Sequence, residues 1–300
     1  MQSEQLATHR ARAFMSSHPV LTYFLLTFAI SWGGILIAVG PTGIIASKQV
    51  FESYVWVPPL VLGPCIAGIL TTWLVAGRAG LRDYRSRLLK WRVGARWYAV
   101  ALLAAPVYYL ATALVLSMSS RDFLPGLVIA DDKATFMIQG TIVALSAGIF
   151  EELGWTGFAI PALMRRHTPL ATGVLVGLVW GLWHVLPEIL GASAFELMPY
   201  LLVQLLLVIV GLTGFRILMV WVYEHTHSTL IGILMHASLT ASMMMLQPLV
   251  IGKSLVLIGI VLAIVPWLIV AAVLLVRNQV TASHDRGSRP EPARLRASHR

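Results

Sequence analysis

The sequence is poor in charged residues and has a single cysteine. Charged residues make up 12% of the chain, against about 25% in soluble globular domains. Apolar residues make up 58%, and the mean hydropathy is +0.80. This composition excludes a soluble fold for most of the chain and indicates an integral membrane protein. The lone Cys65 excludes an intrachain disulfide and says nothing about the redox compartment.

The apolar runs also lack the period-2 alternation of membrane strands. Only helices and closed barrels satisfy the backbone inside lipid, so continuous apolar runs indicate helices. Runs near the ~20 residues that cross a bilayer occur at 20–39, 56–76, 97–118, 136–160, 170–190, 199–222, 229–247 and 255–276. The predicted fold class is therefore an all-α polytopic membrane protein with about eight transmembrane helices.

The positive charges are distributed unevenly between the connections. A net charge of +9 would suggest a nucleic-acid partner in a soluble protein, but here the basic residues lie between and beyond the apolar runs. Most fall on one side of the predicted bundle, as the positive-inside rule requires. We therefore expect no nucleic-acid partner, both termini in the cytoplasm and a bacterial-type cell membrane. We predict a cytoplasmic segment 1–19, a transmembrane domain 20–276 and a disordered basic cytoplasmic tail 277–300.

The segment 77–96 alternates arginines with leucines and aromatic residues. An ordinary orienting loop is the favoured interpretation. The alternative is a short helix that lies on the anionic inner leaflet.

Two adjacent carboxylates, Glu151 and Glu152, interrupt the apolar run from 137 to 163. A glutamate inside lipid costs roughly 2.5–3.5 kcal/mol, so such residues are functional by default. The two side chains point about 100° apart on a helix, so one can face a cavity while the other faces a neighbouring helix. The alternative is a structural pair bonded to serines, histidines or an arginine.

Two histidines lie in other predicted spans. His184 follows a ridge of small residues formed by glycines at 173, 177 and 181, which lets another helix approach closely. His236 precedes Thr240 by one turn, so both can converge on one oxygen atom. The structural alternatives are an interhelical hydrogen bond for each histidine and a bond to the helix backbone for the threonine.

Arg216 is the one arginine inside a predicted span. The favoured prediction is that its long side chain snorkels to the inner surface. The alternative is that it pairs with a glutamate.

Three short motifs resemble those of the CPBP intramembrane proteases, also called the Abi or CAAX-protease family. They read Glu151-Glu152-x-x-Trp155-Thr156-Gly157, Trp180-x-x-x-His184 and His236-x-x-x-Thr240. The resemblance implies that 20–276 is a protease domain that cuts membrane-associated peptide or protein substrates. It also implies an active site toward the cytoplasmic side.

The resemblance assigns a role to each motif residue. Glu151 with His184 would activate a water molecule, His236 and Thr240 would stabilise the oxyanion, and Glu152 would support the site. Peptide hydrolysis needs such a base and such donors.

Members of this family are often labelled metalloproteases. This sequence has no His-Glu-x-x-His pair on one helix, so we favour a glutamate mechanism without a cofactor over zinc. If a metal is bound, its expected ligands are Glu151, Glu152, His184 and His236.

The chain departs from the family pattern at two positions. Thr156 stands where the family usually has arginine, and Thr240 where it usually has asparagine. We hypothesise that Arg216 replaces the missing cation. A catalytically weakened relative that acts as a membrane scaffold or immunity factor is the first alternative, and a small proton-coupled transporter is the second. The sequence encodes neither a substrate identity nor an oligomeric state.

Overall fold

The computed structural model describes residues 14–40, 48–194 and 200–287. Every regular element within these ranges is helical, and eight helices are long and apolar enough to cross a membrane. We number these helices α1 (Pro19–Val39), α2 (Val57–Leu88), α3 (Ala95–Ser117), α4 (Lys133–Gly154), α5 (Pro169–Trp183), α6 (Leu201–Thr226), α7 (Thr229–Leu246) and α8 (Gly252–Gly287). The predicted all-α fold with eight spans is confirmed, whereas the cytoplasmic location of both termini stays a prediction.

Two of the spans change geometry close to the predicted site residues. Helix α4 continues through a π-helical turn, Trp155–Ala159, into the short helix Ile160–Leu163. Helix α5 ends at Trp183, and after His184 a second helix, Val185–Ala194, continues the span. Such π turns are rare and occur frequently at functional sites.

Small residues allow the spans that carry the site to approach at backbone distance. A Cβ atom on Gly177 would lie 2.6 Å from the Cα atom of Thr213 in α6. The predicted glycine ridge of α5 is therefore confirmed as a helix-packing surface. A Cβ atom on Gly148 would lie 2.7 Å from the Ile233 carbonyl oxygen, so α4 and α7 are equally close.

The basic segment 77–96 belongs partly to α2. The helix breaks at Gly77, whose φ of 56° suits glycine, and then continues to Leu88. Tyr84 donates a hydrogen bond to the Leu153 carbonyl at 2.6 Å, and Arg87 donates one to the Gly157 carbonyl at 2.8 Å. These two hydrogen bonds hold the basic segment against the part of the α4 span that carries the carboxylates. Neither of the roles predicted for the segment, an orienting loop or a surface helix, includes such contacts.

Helix α8 continues to Gly287, so residues 277–287 are helical although the sequence predicts disorder from 277. The rest of the predicted tail and the predicted segment 1–13 lie outside the described residues. The division of the chain into 1–19, 20–276 and 277–300 stays a prediction.

Successive spans must cross the membrane in opposite directions. We call the end where α2 passes to α3, α4 to α5 and α6 to α7 the basic end, because the arginine-rich connection 77–96 lies there. The opposite end holds the junctions of α1 with α2, α3 with α4, α5 with α6 and α7 with α8.

Candidate active site

The Glu152 carboxylate is completely enclosed by hydrogen-bond donors. Its exposed fraction is 0%. Arg216 Nη1 lies 2.9 Å from both carboxylate oxygens, His236 Nδ1 lies 2.7 Å from Oε1, and the Thr156 hydroxyl donates to Oε2. Arg216 comes from α6 and His236 from α7, whereas Thr156 lies one turn beyond Glu152 on the same span. Glu152 is thus the carboxylate that faces neighbouring helices.

The prediction that Arg216 snorkels to the surface is wrong. Its side chain is 0% exposed, and its Cζ atom lies 3.9 Å from the centroid of the Trp180 ring. The ion pair with Glu152 and the indole face together offset the cost of removing the guanidinium from water. The alternative prediction, pairing with a glutamate, is the arrangement observed.

Glu151 is buried to almost the same degree but is much less strongly bound. Its exposed fraction is 3%. Its Oε2 atom accepts a hydrogen bond of 3.0 Å from Trp180 Nε1 and lies 3.9 Å from His236 Nε2. Within the described ranges no hydrogen bond or ion pair joins Glu151 to His184. Glu151 is therefore held by one neutral donor, whereas Glu152 faces a cation.

The hydrogen-bond partners of the two histidines assign their tautomers. His184 Nδ1 lies 2.8 Å from the Trp180 carbonyl oxygen, which only accepts, so Nδ1 carries the proton and Nε2 is the acceptor. His236 Nδ1 faces the Glu152 carboxylate and carries a proton for the same reason. Its Nε2 atom is therefore the one directed toward Glu151.

A cavity of about 370 Å³ adjoins these groups. His184, His236 and Thr240 are among its lining residues, and Thr240 is 7% exposed. The structure thus gathers the five predicted site residues in one region. Glu151, Glu152 and His236 form a connected network, while His184 and Thr240 lie on the cavity wall beside it.

The cavity extends from this network toward the opposite end of the bundle. Most of its lining residues come from the last turns of the α5 span, the second half of α7 and the first halves of α6 and α8, and two come from α3. Gln247, which directly follows α7, and Leu201, the first residue of α6, both belong to the lining. The cavity therefore leads away from the basic end.

Several polar residues in the cavity wall were missed by the sequence analysis. They are Tyr108, Tyr109, Glu188, Gln204 and Gln247. Glu188 could have been found, because it follows His184 by one helical turn. The tyrosines and glutamines carry no such signal, since their spacing relates them to no motif.

The four predicted metal ligands do not form a metal site in this arrangement. Among the residues that the structure describes, no group of three or more His, Cys, Asp or Glu side chains is placed to hold one metal ion. Glu152 uses both oxygens to accept from Arg216, and His236 Nδ1 is bound to Glu152. Both Glu152 oxygens are therefore occupied by donors and this carboxylate is not available to a metal, so we derive no step through a metal.

Two comparisons with known proteins agree with the geometry. Residues 133–242 match the family model described as type II CAAX prenyl endopeptidase Rce1-like. CAAX prenyl protease 2 of Methanococcus maripaludis is 26% identical over 171 residues, which is 54% of this chain and 60% of that relative. The match contains the Glu-Glu, Trp-x-x-x-His and His-x-x-x-Thr motifs and all of the buried network described above. Over these residues the chain is similar to type II CAAX prenyl endopeptidases.

Proposed function

We propose that this protein is an intramembrane endopeptidase, which hydrolyses peptide bonds of membrane-associated protein or peptide substrates. The observation that carries the proposal is Glu151, a buried carboxylate with one neutral donor, which lies beside His236, a residue that lines the inner end of a cavity. A carboxylate that accepts from a single neutral donor keeps lone pairs free to take a proton from water. The match of residues 133–242 to a CAAX prenyl endopeptidase family model supports the same reaction class.

The separation between Glu151 and His236 suits a bridging water. Glu151 Oε2 and His236 Nε2 lie 3.9 Å apart, a distance at which one water can bond to both atoms. We assign Glu151 as the general base, which takes a proton as the water oxygen attacks the scissile carbonyl carbon. Glu151 then returns this proton to the departing amine. We assign His184 Nε2, on the same cavity wall, to accept a hydrogen bond from the second hydrogen of the water, which stays on the oxygen and becomes part of the product carboxylic acid.

The oxyanion that forms in this step needs donors. Thr240 supplies a hydroxyl from the cavity wall, and we assign His236, whose Nε2 faces Glu151, to the same role. Glu152 accepts from His236 Nδ1 at 2.7 Å and so fixes the orientation of the ring. Arg216 in turn holds the Glu152 carboxylate in place. Glu152 and Arg216 thus act on the reaction through His236.

The second candidate function is a scaffold or immunity factor with weak or no catalysis. The observation that favours it is Thr240, whose hydroxyl is shorter than the asparagine amide usual in the family. The loss of an oxyanion donor lowers the rate by about 10²–10³ where it has been measured.

We propose a bacterial-type cell membrane with both termini in the cytoplasm, because the basic connections lie at one end. The sequence predicts an active site toward the cytoplasmic side. With this topology, however, the cavity runs from mid-membrane toward the non-cytoplasmic surface. We therefore propose that substrates reach Glu151 from the end opposite the basic end.

The proposal is tested by comparing the termini of membrane proteins in cells that make the wild-type chain or Glu151→Gln at matched levels. This change removes the base and nearly keeps its shape. Asp131→Asn, at an exposed position outside the bundle, is the matched control. We expect new termini that require Glu151 and survive in the control, with a rate loss of about 10²–10⁴ for Glu151→Gln. Identical termini in the three kinds of cell would refute the endopeptidase function, and the scaffold or immunity function would be the remaining candidate.

A further inference from the structure

Glu188 is a carboxylate in the cavity that the proposed reaction does not use. It lies on the helix Val185–Ala194, and its backbone N–H donates to the His184 carbonyl at 3.0 Å. Glu188 therefore sits one turn beyond His184, toward the opposite end of the bundle. Both residues line the same cavity, so a substrate that reaches the network from that end passes Glu188.

The Glu188 carboxylate has no partner among the residues that the structure describes. No hydrogen bond or ion pair reaches it there, although a charged group at membrane depth is costly unless it is paired. The other polar side chains in the cavity wall are neutral tyrosines, glutamines and a threonine, apart from the two histidines. The described residues of the lining include no lysine or arginine. Arg216 cannot serve, because Glu152 already binds it.

We propose that Glu188 is a specificity-determining residue that selects peptide substrates with a lysine or arginine near the scissile bond. The inference rests on the proposed endopeptidase function. In a cavity of low dielectric constant an unpaired carboxylate attracts a cation far more strongly than it does in water. A substrate ammonium or guanidinium would supply the charge that the cavity wall lacks.

The geometry also limits the position of the basic residue. One helical turn separates His184 from Glu188 by about 6 Å along the axis. An extended peptide advances about 3.3 Å per residue, which places its backbone opposite Glu188 about two residues from the scissile bond. Because lysine and arginine side chains are long, a basic residue about two to four positions from the cut can reach the carboxylate.

The test uses the full chain in lipid vesicles and a synthetic membrane-anchored peptide that spans one Glu151-dependent cut. The peptide is made with lysine, glutamine or glutamate at the proposed position. The enzymes are wild type, Glu188→Gln, Glu188→Lys, Glu188→Asp and the control Asp131→Asn. The measurement is kcat and KM for every pair of enzyme and peptide.

We expect wild type and Asp131→Asn to prefer the lysine peptide over the glutamine peptide by about 10–100-fold in kcat/KM, the range for hydrogen bonds to charged groups. In Glu188→Gln the ratio falls to about 1, chiefly through a higher KM for the lysine peptide. Glu188→Lys reverses the preference toward the glutamate peptide, and Glu188→Asp restores part of the preference for lysine.

Three results overturn the inference. The first is that Glu151-dependent cuts lack a basic residue within four positions. The second is that Glu188→Gln lowers kcat/KM equally for all three peptides. In both cases the endopeptidase function stands. The third is an absence of Glu151-dependent termini, which removes the endopeptidase function and this specificity with it. If Glu188→Gln fails to fold, a wild-type ratio near 1 between the lysine and glutamine peptides is decisive against the inference.

Discussion

Replacing Arg216 by glutamine tests the central ion pair of the site. The guanidinium and the Glu152 carboxylate are both 0% exposed, with Nη1 2.9 Å from both oxygens. Removing one partner of a buried pair typically costs about 3–5 kcal/mol, because the remaining charge stays buried. Contact with the Trp180 face, 3.9 Å from Cζ, adds up to about 2 kcal/mol at desolvated sites. We expect Arg216→Gln to lower the free energy of unfolding by about 3–7 kcal/mol.

The change should also abolish proteolysis. Without the ion pair, the Glu152 carboxylate is no longer fixed where it accepts from His236 Nδ1, so the orientation of His236 is lost. Arg216→Lys should recover only part of both properties, since a single ammonium cannot reproduce the planar guanidinium between Glu152 and the Trp180 ring.

A double-mutant cycle separates the pair from general packing damage. Arg216→Gln, Glu152→Gln and the double mutant are unfolded in the same detergent, with Arg82→Gln at an exposed position as the control. We expect the double mutant to be more stable than the sum of the single changes predicts, by about 2–3 kcal/mol. The reasoning would be refuted if the losses in free energy of unfolding of the two single changes added to that of the double mutant within about 0.5 kcal/mol. An Arg216→Gln protein as stable as the control would refute it as well.

Two further changes test the oxyanion donor and the helix packing. Thr240→Asn should raise kcat for a peptide that contains the Glu151-dependent cut. Thr240→Val should lower this kcat by about 10²–10³, with little effect on the free energy of unfolding. If both variants had the kcat of the wild type, Thr240 would not be an oxyanion donor. Gly177→Ala places a methyl group 2.6 Å from the Thr213 Cα atom and should cost about 1–3 kcal/mol in the free energy of unfolding. Gly33→Ala, which meets no atom within 4 Å, is the matched control, and equal stability of the two variants would contradict the packing argument.

The spans and the location of the site were accessible from the sequence, because both depend on local patterns. Lipid requires runs of about 20 apolar residues, and the eight predicted spans correspond to the eight helices of the structure. The adjacent carboxylates Glu151 and Glu152 stand out because ionisable residues are rare in such runs. The glycine ridge of α5 was equally visible, since residues four apart share one face of a helix.

The partners of these residues were not accessible in the same way. Whether Arg216 points to the surface or to Glu152 depends on how α6 is rotated against α4, and the two residues are 64 positions apart. That rotation follows from close contacts such as the one between Gly177 and Thr213, which no local pattern predicts. The hydrogen bond from Tyr84 to the Leu153 carbonyl likewise depends on the helix break at Gly77, which no local pattern places against α4.

The sequence by itself therefore determined the class of protein and the eight spans, and it supplied the residues that we propose for the site. The tertiary structure decided that Arg216 binds Glu152, that His236 rather than His184 stands next to Glu151, and that the cavity leads past Glu188 to the end opposite the basic end. The physical reason is that hydropathy and helical periodicity act along one chain segment. Hydrogen bonds and cavities between helices depend instead on rotations and depths that only packing determines.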